Sequence, residues 1–187
     1  LPTILSGDIG LSGDSTDNSY TVVTAVDVDS TALMDGFTIR DGNADEVFIN
    51  TFTPHNAGGG MFSDASDVRV RHCIFQRNAA YVGGGLFHHV GGNPSISQCS
   101  FLDNSARDSG GGLYNAARPS IDSCYFAGNR ALSGGGMANS GFNGQPTVLH
   151  SVFYQNNAGT GGGVHNNFVG TPEFSHCSFM ENTALNE

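Results

Sequence analysis

The chain has 187 residues, of which 17 are acidic and only seven are lysine or arginine. The formal net charge of −10 argues against nucleic acid and anionic membranes as partners, because both attract basic surfaces. No run of 18 apolar residues occurs, so we expect no membrane insertion.

The first 57 residues are expected to form irregular coils, with a long lateral loop near residues 45–57. They begin with the acidic stretch SGDIGLSGDSTDN, which contains Asp8, Asp14 and Asp17. Oxygen-rich loops of this kind can hold Ca²⁺. The spacing is neither that of an EF-hand nor that of a calcium-binding nonapeptide repeat, and it favours a solvated turn. We therefore predict no cofactor, with Ca²⁺ at these aspartates as the alternative.

A regular repeat occupies residues 58–187. Glycine triplets start at Gly58, Gly83, Gly110, Gly134 and Gly161, at intervals of 24 to 27 residues. Each triplet is followed, before the next triplet begins, by a Cys-x-Phe-x-x-Asn-x-Ala motif. Serine replaces the cysteine once, at Ser151. Internal periods of this length indicate a solenoid, a propeller or an array.

Short apolar alternation decides between these architectures. Cys-x-Phe and Gly-x-apolar follow the two-residue period of a strand, whereas 27 glycines oppose helix. The sequence therefore predicts an all-β, parallel β-helix of 24–27 residues and three short strands per coil. Residues 58–187 would supply five coils of a single domain. The motif is cut off at the C-terminus, so we expect the chain to be part of a longer protein.

A weaker copy of the motif extends the repeat into the N-terminal third. In GFTIRDGNA, Phe37 takes the cysteine position, Ile39 the phenylalanine position, Gly42 the asparagine position and Ala44 the alanine position. The stretch YTVVTAV, residues 20–26, would be the strand that matches the one after each triplet.

In a β-helix each motif position stacks on itself at about 4.8 Å, so like residues form ladders. The predicted core ladder is Phe75, Phe101, Phe126, Phe153 and Phe179. The predicted amide ladder, at a turn, is Asn78, Asn104, Asn129, Asn156 and Asn182. The middle glycine of each triplet is expected to face the phenylalanine ladder, with the others allowing positive φ.

The four cysteines Cys73, Cys99, Cys124 and Cys177 share one inward ladder position. In-register strands hold Cβ atoms farther apart than a disulfide requires, so we expect buried free thiols. A Cys73–Cys99 or Cys99–Cys124 bridge remains the alternative.

An aromatic column follows the triplets, formed by Phe62, Phe87 and Tyr114 and ending at His165. The alternation places it on the outside of the coil. We expect either an exposed stripe that binds sugar faces or protein, or a self-stacking ladder that a loop covers.

The motifs GGGMF, GGGLF and GGGLY, together with FQRN, FLDN and FAGN, resemble those of the right-handed parallel β-helix repeat proteins of bacterial surfaces, including the polymorphic outer membrane protein type. The resemblance covers essentially the whole chain. It implies a right-handed helix and an exported adhesin or passenger, extracellular or at the cell surface, and fold alone does not settle activity.

We therefore expect a non-catalytic adhesin or structural scaffold that binds a glycan or protein ligand or associates with itself end to end. The alternative is a carbohydrate-active β-helix enzyme, of polysaccharide lyase or hydrolase type, or its binding module. That chemistry needs paired carboxylates or a basic residue beside Ca²⁺-holding acids. The residues of the aromatic column include neither.

Overall fold

The computed structural model describes residues 3–47, 50–141, 144–167 and 171–185. The described residues contain no α-helix and one short 3₁₀ helix, Ser15–Asp17. None of the helical structure described there is long and apolar enough to cross a membrane. All other regular elements are parallel strands, so the predicted parallel β-helix is confirmed.

Four parallel sheets run along the molecule, each one a wall of the coil. Sheet I contains Val23–Val26, Met61–Asp64, Leu86–His88, Leu113–Asn115, Met137–Asn139 and Val164–Asn166. Sheet II contains Leu33–Asp35, Arg69–Arg71, Ser95–Ser97, Ser120–Asp122, Thr147–Leu149 and Glu173–Ser175. Sheet III contains Thr3–Ser6, Phe37–Arg40, Ile74–Gln76, Ser100–Leu102, Tyr125–Ala127, Val152–Tyr154 and Ser178–Met180. Sheet IV contains Asn43–Ala44, Ala79–Val82, Ser105–Ser109, Arg130–Ser133, Asn157–Thr160 and Thr183–Ala184.

The expectation of three strands per coil is therefore wrong. The fourth strand lies between the asparagine ladder and the next glycine triplet. Its alanines point inward, as Ala80 and Ala158 show by their near-complete burial. These short side chains give a weaker apolar alternation than the phenylalanine and leucine strands, although the backbone pairs in the same parallel manner.

Left-handed residues make the corners between the strands. The residue before each cysteine and the residue before each asparagine have positive φ, as in His72 (51°) and Arg77 (52°). The first glycine of every triplet does the same, for example Gly110 at 69°. Each coil therefore turns at three fixed places, which keeps every ladder in register.

The glycine roles differ from the expectation. The third glycine, and not the middle one, faces the phenylalanine ladder: a Cβ on Gly112 would lie 3.1 Å from Phe126 Cδ1. A Cβ on the middle glycine, Gly111, would lie 2.5 Å from the carbonyl oxygen of Arg130 in sheet IV. The middle glycine therefore allows two backbone segments to approach closely.

The phenylalanine and cysteine ladders form the core. Phe101, Phe126 and Phe153 stack with ring centroids 4.7 Å apart and planes 3–4° from parallel. All four cysteines are free, as predicted. Their thiols point to the carbonyl oxygen two residues earlier, 3.2 Å away for Cys99 and Ser97. Hydrogen bonding to the thiol of Cys124, together with burial, raises the pKa of Cys99 to about 12, so the thiol stays protonated.

The predicted asparagine ladder is confirmed. The Nδ2 of Asn129 donates to Asn156 Oδ1 (2.9 Å) and to the carbonyl of Phe101 (2.9 Å), while its Oδ1 accepts from the backbone and side chain of Asn104 (3.0 Å each). Each buried amide is thereby satisfied by the coil before it and the coil after it. The same contact reaches the N-terminal third, where Gly42 N donates to Asn78 Oδ1.

The N-terminal copy has the predicted register. Ile39 pairs with Phe75, and Ala44 pairs with Ala80. The predicted strand within residues 20–26 is observed as Val23–Val26, paired with Met61–Asp64. The repeat therefore begins well before its first glycine triplet.

Candidate functional site

The aromatic column after the triplets lies on the outer face of sheet I. Phe62 and Phe87 stack with centroids 5.3 Å apart, and Phe87 and Tyr114 with centroids 5.1 Å apart. The column is not exposed: Phe62, Phe87 and Tyr114 keep 4%, 0% and 8% of their accessible surface. The expectation of an exposed stripe is wrong for these three residues, and the covered-ladder alternative describes them.

The cover is residues 50–57, which we call the strap. The ring of Phe52 packs against Phe87 at 5.0 Å and against Tyr114 at 6.0 Å between centroids. Buried Asn56 holds the strap to sheet IV, because its carbonyl accepts from the backbone of Tyr81 and Val82. The strap is part of the lateral loop predicted near residues 45–57, of which residues 48 and 49 lie outside the described chain.

Toward the C-terminus the column loses its aromatic character. Tyr114 is followed in register by Ala138, which is buried, and then by His165, which is half-buried. Burial raises the pKa of Tyr114 despite the hydrogen bond to Ser140 that opposes the shift. Of the four predicted binding residues, only His165 presents a substantial part of its side chain to solvent.

The aspartates of the first loop do not converge. Asp14 caps the 3₁₀ helix by accepting from Thr16 N (2.9 Å) and Oγ1 (2.7 Å), and these hydrogen bonds lower its pKa. Asp17 accepts from Leu11 N at 2.8 Å, and Asp8 accepts from Gly13 N at 3.3 Å. No group of three or more acidic, histidine or cysteine side chains suited to a metal ion occurs in the described part of the chain. The arrangement is that of a turn closed by its own carboxylates.

A polar cavity of about 460 Å³ lies between this loop and the corner of sheets III and IV. Asp8, Asn18, Arg40, Asp41 and Arg77 are among the residues that line it. Arg77 contacts Asp41 through Nε (3.2 Å) and NH2 (3.1 Å to Oδ1). Arg40 Nε lies 3.1 Å from Asp41 Oδ2 in an ion pair, whereas Asn18 Oδ1 is buried without a hydrogen-bond partner among the described residues. The cavity therefore has a size suited to a small ligand, but both of its arginines are already paired with Asp41.

Carboxylates elsewhere tie one coil to the next. Asp35 contacts both Arg71 (2.9 Å) and His72 (2.8 Å), and the hydrogen bond from His72 is the main cause of its lowered pKa. Asp64 with His89 and Asp122 with His150 are further ties of this kind, whereas Asp45 reaches Arg107 two coils away. These acids are spread along the corners of the coil, and each is engaged by a base.

A second inward polar ladder escaped the sequence analysis. An apolar residue follows each triplet, and the ladder residue lies two positions after it. The ladder consists of Ser63, His88, Asn115, Asn139 and Asn166. Asn115 donates to Asn139 (3.2 Å), and Asn139 donates to Asn166 (2.8 Å). The two-residue period of a strand, counted onward from the apolar residue, identifies these inward positions in the sequence.

His88 is the ionisable member of this ladder. It keeps 1% of its accessible surface, and its ring nitrogens lie 2.9 Å from Ser63 Oγ and 3.0 Å from the carbonyl oxygen of Gly91. Burial lowers the pKa of His88 to about 4, so the ring is neutral at pH 7. His88 is therefore a buried strand residue and not part of the loop that follows it.

Comparison with known proteins supports the fold. No curated protein and no solved structure matches the chain. A family model described as "Right handed beta helix region" matches residues 82–185, which is more than half of the chain. With its parallel sheets and stacked ladders, the chain belongs to the right-handed β-helix family.

Proposed function

We propose that the chain is a non-catalytic β-solenoid of an extracellular or cell-surface protein, acting as an adhesin or structural scaffold. The observation that carries this proposal is the placement of the carboxylates. Asp35, Asp41, Asp64 and Asp122 each contact a basic side chain of the next coil. Acids used in this way stabilise a rod and are dispersed along it.

The interior supports the same role. Two amide ladders, a phenylalanine ladder and a thiol ladder repeat from coil to coil. Repetition of this kind gives stability that accumulates along the solenoid, and it leaves the outer faces of the sheets free to vary. A stiff rod with variable outer faces suits presentation and adhesion.

The test is an assay for catalysis on polysaccharides. The chain would be incubated with neutral and acidic polysaccharides, with Ca²⁺ and with EDTA, while new reducing ends and the ultraviolet absorbance of unsaturated sugars are followed. We expect no turnover. Turnover that is lost in Asp41→Asn and kept in Asp122→Asn would overturn the proposal, since Asp41 lines the cavity and Asp122 lies on another corner.

One observation favours the second candidate, a carbohydrate-active enzyme. Arg40 and Arg77 meet Asp8 and Asp41 around the 460 Å³ cavity, so basic and acidic groups face one space. A small saccharide would find both donors and acceptors there. The assay above separates the two candidates, because only the enzyme gives products that depend on Asp41.

The proposed location has its own test. Intact cells that make the protein would be treated with an external protease and then probed with an antibody against the chain. We expect loss of the signal before any cytoplasmic protein is cut. Protection of the chain until the cells are broken would contradict a surface or extracellular location.

A further inference from the structure

Sheet III has an outer face that the sequence analysis did not consider. The phenylalanines of this sheet point inward, so the residues on either side of each phenylalanine point outward. Register places these outward residues in two columns along the helix axis. Over the last four strands the apolar members are Leu102, Tyr125, Ala127, Val152, Tyr154 and Met180.

This surface, which we call the tyrosine face, is open to solvent. Tyr125 keeps 37% of its accessible surface, and Leu102 and Val152 are half-buried, in contrast to the buried rings under the strap. Tyr154 is half-buried and lies one coil from Tyr125 and two residues further along the strand. This offset separates their Cα atoms by roughly 8 Å, so two aromatic rings lie on a nearly flat surface within reach of one extended ligand.

A row of hydrogen-bond acceptors borders the tyrosine face. It consists of the corner residues Asp103, Gln155 and Glu181, each with φ between 51° and 54°. Gln155 Nε2 donates to Glu181 Oε2 at 2.7 Å, which orients both side chains. The intervening corner residue is Gly128, and the carboxylate of Asp103 occupies the space that a Cβ on Gly128 would need.

Glu181 also interacts with the phenol hydroxyl of Tyr154. Partial desolvation, and then the charge of Glu181 and a hydrogen bond to it, raise the pKa of Tyr154. The basic residue of the same corner, Arg77, is paired with Asp41 toward the N-terminus. Aromatic rings beside carboxylate and amide oxygens match a ligand that offers apolar faces and hydroxyl donors.

Size and charge select the occupant. Even the whole outer face of sheet III, seven strands of three or four residues, presents an area of roughly 350 Å², below the roughly 800 Å² per partner of a stable protein interface. The two acids of the row would repel the carboxylates of an acidic polysaccharide. A neutral sugar chain meets both conditions, because its rings stack on tyrosine and its hydroxyl groups donate to Asp103 and Glu181.

We propose that the tyrosine face binds a neutral polysaccharide chain across Tyr125 and Tyr154. The inference rests on the proposed adhesive function and gives it a surface and a class of ligand. It also moves the recognition surface from sheet I to sheet III, two walls further around the coil, whose inner side carries the phenylalanine core.

The test is affinity electrophoresis and titration calorimetry with hydroxyethylcellulose, neutral arabinoxylan and polygalacturonate. We expect binding to at least one neutral polymer and not to polygalacturonate. Tyr125→Ala and Tyr154→Ala should each weaken binding about tenfold. Tyr20→Ala is the matched control, because Tyr20 is 40% exposed and lies outside sheet III.

Several outcomes would overturn the inference: no binding to the neutral polymers, a preference for polygalacturonate, or neutral binding unchanged in both tyrosine variants. Tyrosine-dependent dimerisation without polysaccharide binding would show that the tyrosine face binds a second copy of this chain and not a glycan. Failure of the proposed function is recognised separately. Catalytic turnover together with tyrosine-dependent binding would support the tyrosine face as a binding surface and contradict the non-catalytic function. Absence of both binding and turnover would contradict the tyrosine face as a binding surface and leave the non-catalytic function standing.

Discussion

Two aromatic stacks run parallel to the helix axis, one inside the coil and one outside it. Inside sheet III, Phe101 and Phe126 stack at 4.7 Å with planes 3° apart. Outside sheet I, Phe62 and Phe87 stack at 5.3 Å with planes 17° apart. Both stacks are largely buried, but the outer one is covered from outside the coil, by Phe52 of the strap and by His89.

The difference shows what the repeat determines. All five triplet coils carry phenylalanine at the inner position, where a third glycine is required to make room for the ring. The outer position changes from phenylalanine to tyrosine, alanine and histidine along the chain. The inner stack is therefore a property of every coil, while the burial of the outer stack depends on segments between the repeat motifs, namely the strap and His89.

The inner stack should be the more sensitive of the two. Phe126→Ala removes a fully buried ring that contacts Phe101 and Phe153, and the glycine beside it provides no atoms to fill the space. We expect the free energy of unfolding to fall by about 3–5 kcal/mol, measured by urea denaturation. Phe87→Ala is the comparison, and an equal or larger loss there would contradict the distinction.

The second largest expected effect is a pH-dependent loss of stability that arises from His88, in sheet I beneath the outer stack. The pKa of His88 is lowered from 6.5 to about 4 in the folded protein, so the unfolded chain takes up a proton first as the pH falls. The stability that His88 contributes is present above pH 6.5 and is lost on acidification toward pH 4. The loss amounts to about 3 kcal/mol.

His88→Asn should remove this pH dependence, because asparagine occupies the same ladder position in three later coils. The free energy of unfolding would be measured at pH 7, 5.5 and 4.5 in both proteins. His176→Asn is the matched control: His176 is exposed, contacts the hydroxyl of Ser175 and not a carboxylate, and has a positive φ that asparagine tolerates. An unchanged slope in His88→Asn would contradict the burial argument.

The strap can be tested directly through Phe52. Phe52→Ala removes the ring that covers Phe87 and Tyr114 while leaving Asn56 in place. We expect a loss of about 1.5 kcal/mol, because the ring is partly buried and outside the main core. Hydrogen exchange should accelerate at the amides of Tyr81 and Val82, which donate to Asn56. Unchanged exchange there would show that the strap is held without Phe52.

The sequence was sufficient to predict the phenylalanine, asparagine and cysteine ladders of the interior, but not the polar ladder that contains His88. Stacking of like residues follows from parallel in-register strands, so the positions of Phe126, Asn129 and Cys124 could be assigned from spacing alone. Even the degenerate copy around Ile39 was placed in the correct register. These assignments depend on local alternation, which the sequence carries directly.

The exterior was harder because exposure depends on contacts distant in sequence. Phe87 alternates outward as predicted, but Phe52, 35 positions earlier, covers it. The predicted role of the middle glycine was wrong for a related reason. The carbonyl of Arg130, which excludes a side chain at Gly111, belongs to the fourth strand, and the small residues of that strand give too weak an apolar alternation to predict it. The tyrosine face could have been found, since outward orientation follows from its position beside the inner phenylalanines.

The smallest expected effect is on the tyrosine face, and it separates the two outer aromatic surfaces. Tyr125 is 37% exposed and no described ring stacks on it, whereas Phe87 is fully buried between Phe62, Tyr114 and Phe52. Tyr125→Ala should therefore change the free energy of unfolding by no more than about 0.5 kcal/mol. Thermal denaturation of Tyr125→Ala beside Phe87→Ala gives the comparison. A large loss in Tyr125→Ala would mean that the ring supports the fold, and a weaker affinity for polysaccharide in that variant could then not be assigned to a lost contact. A negligible loss makes any change in binding a property of the surface itself.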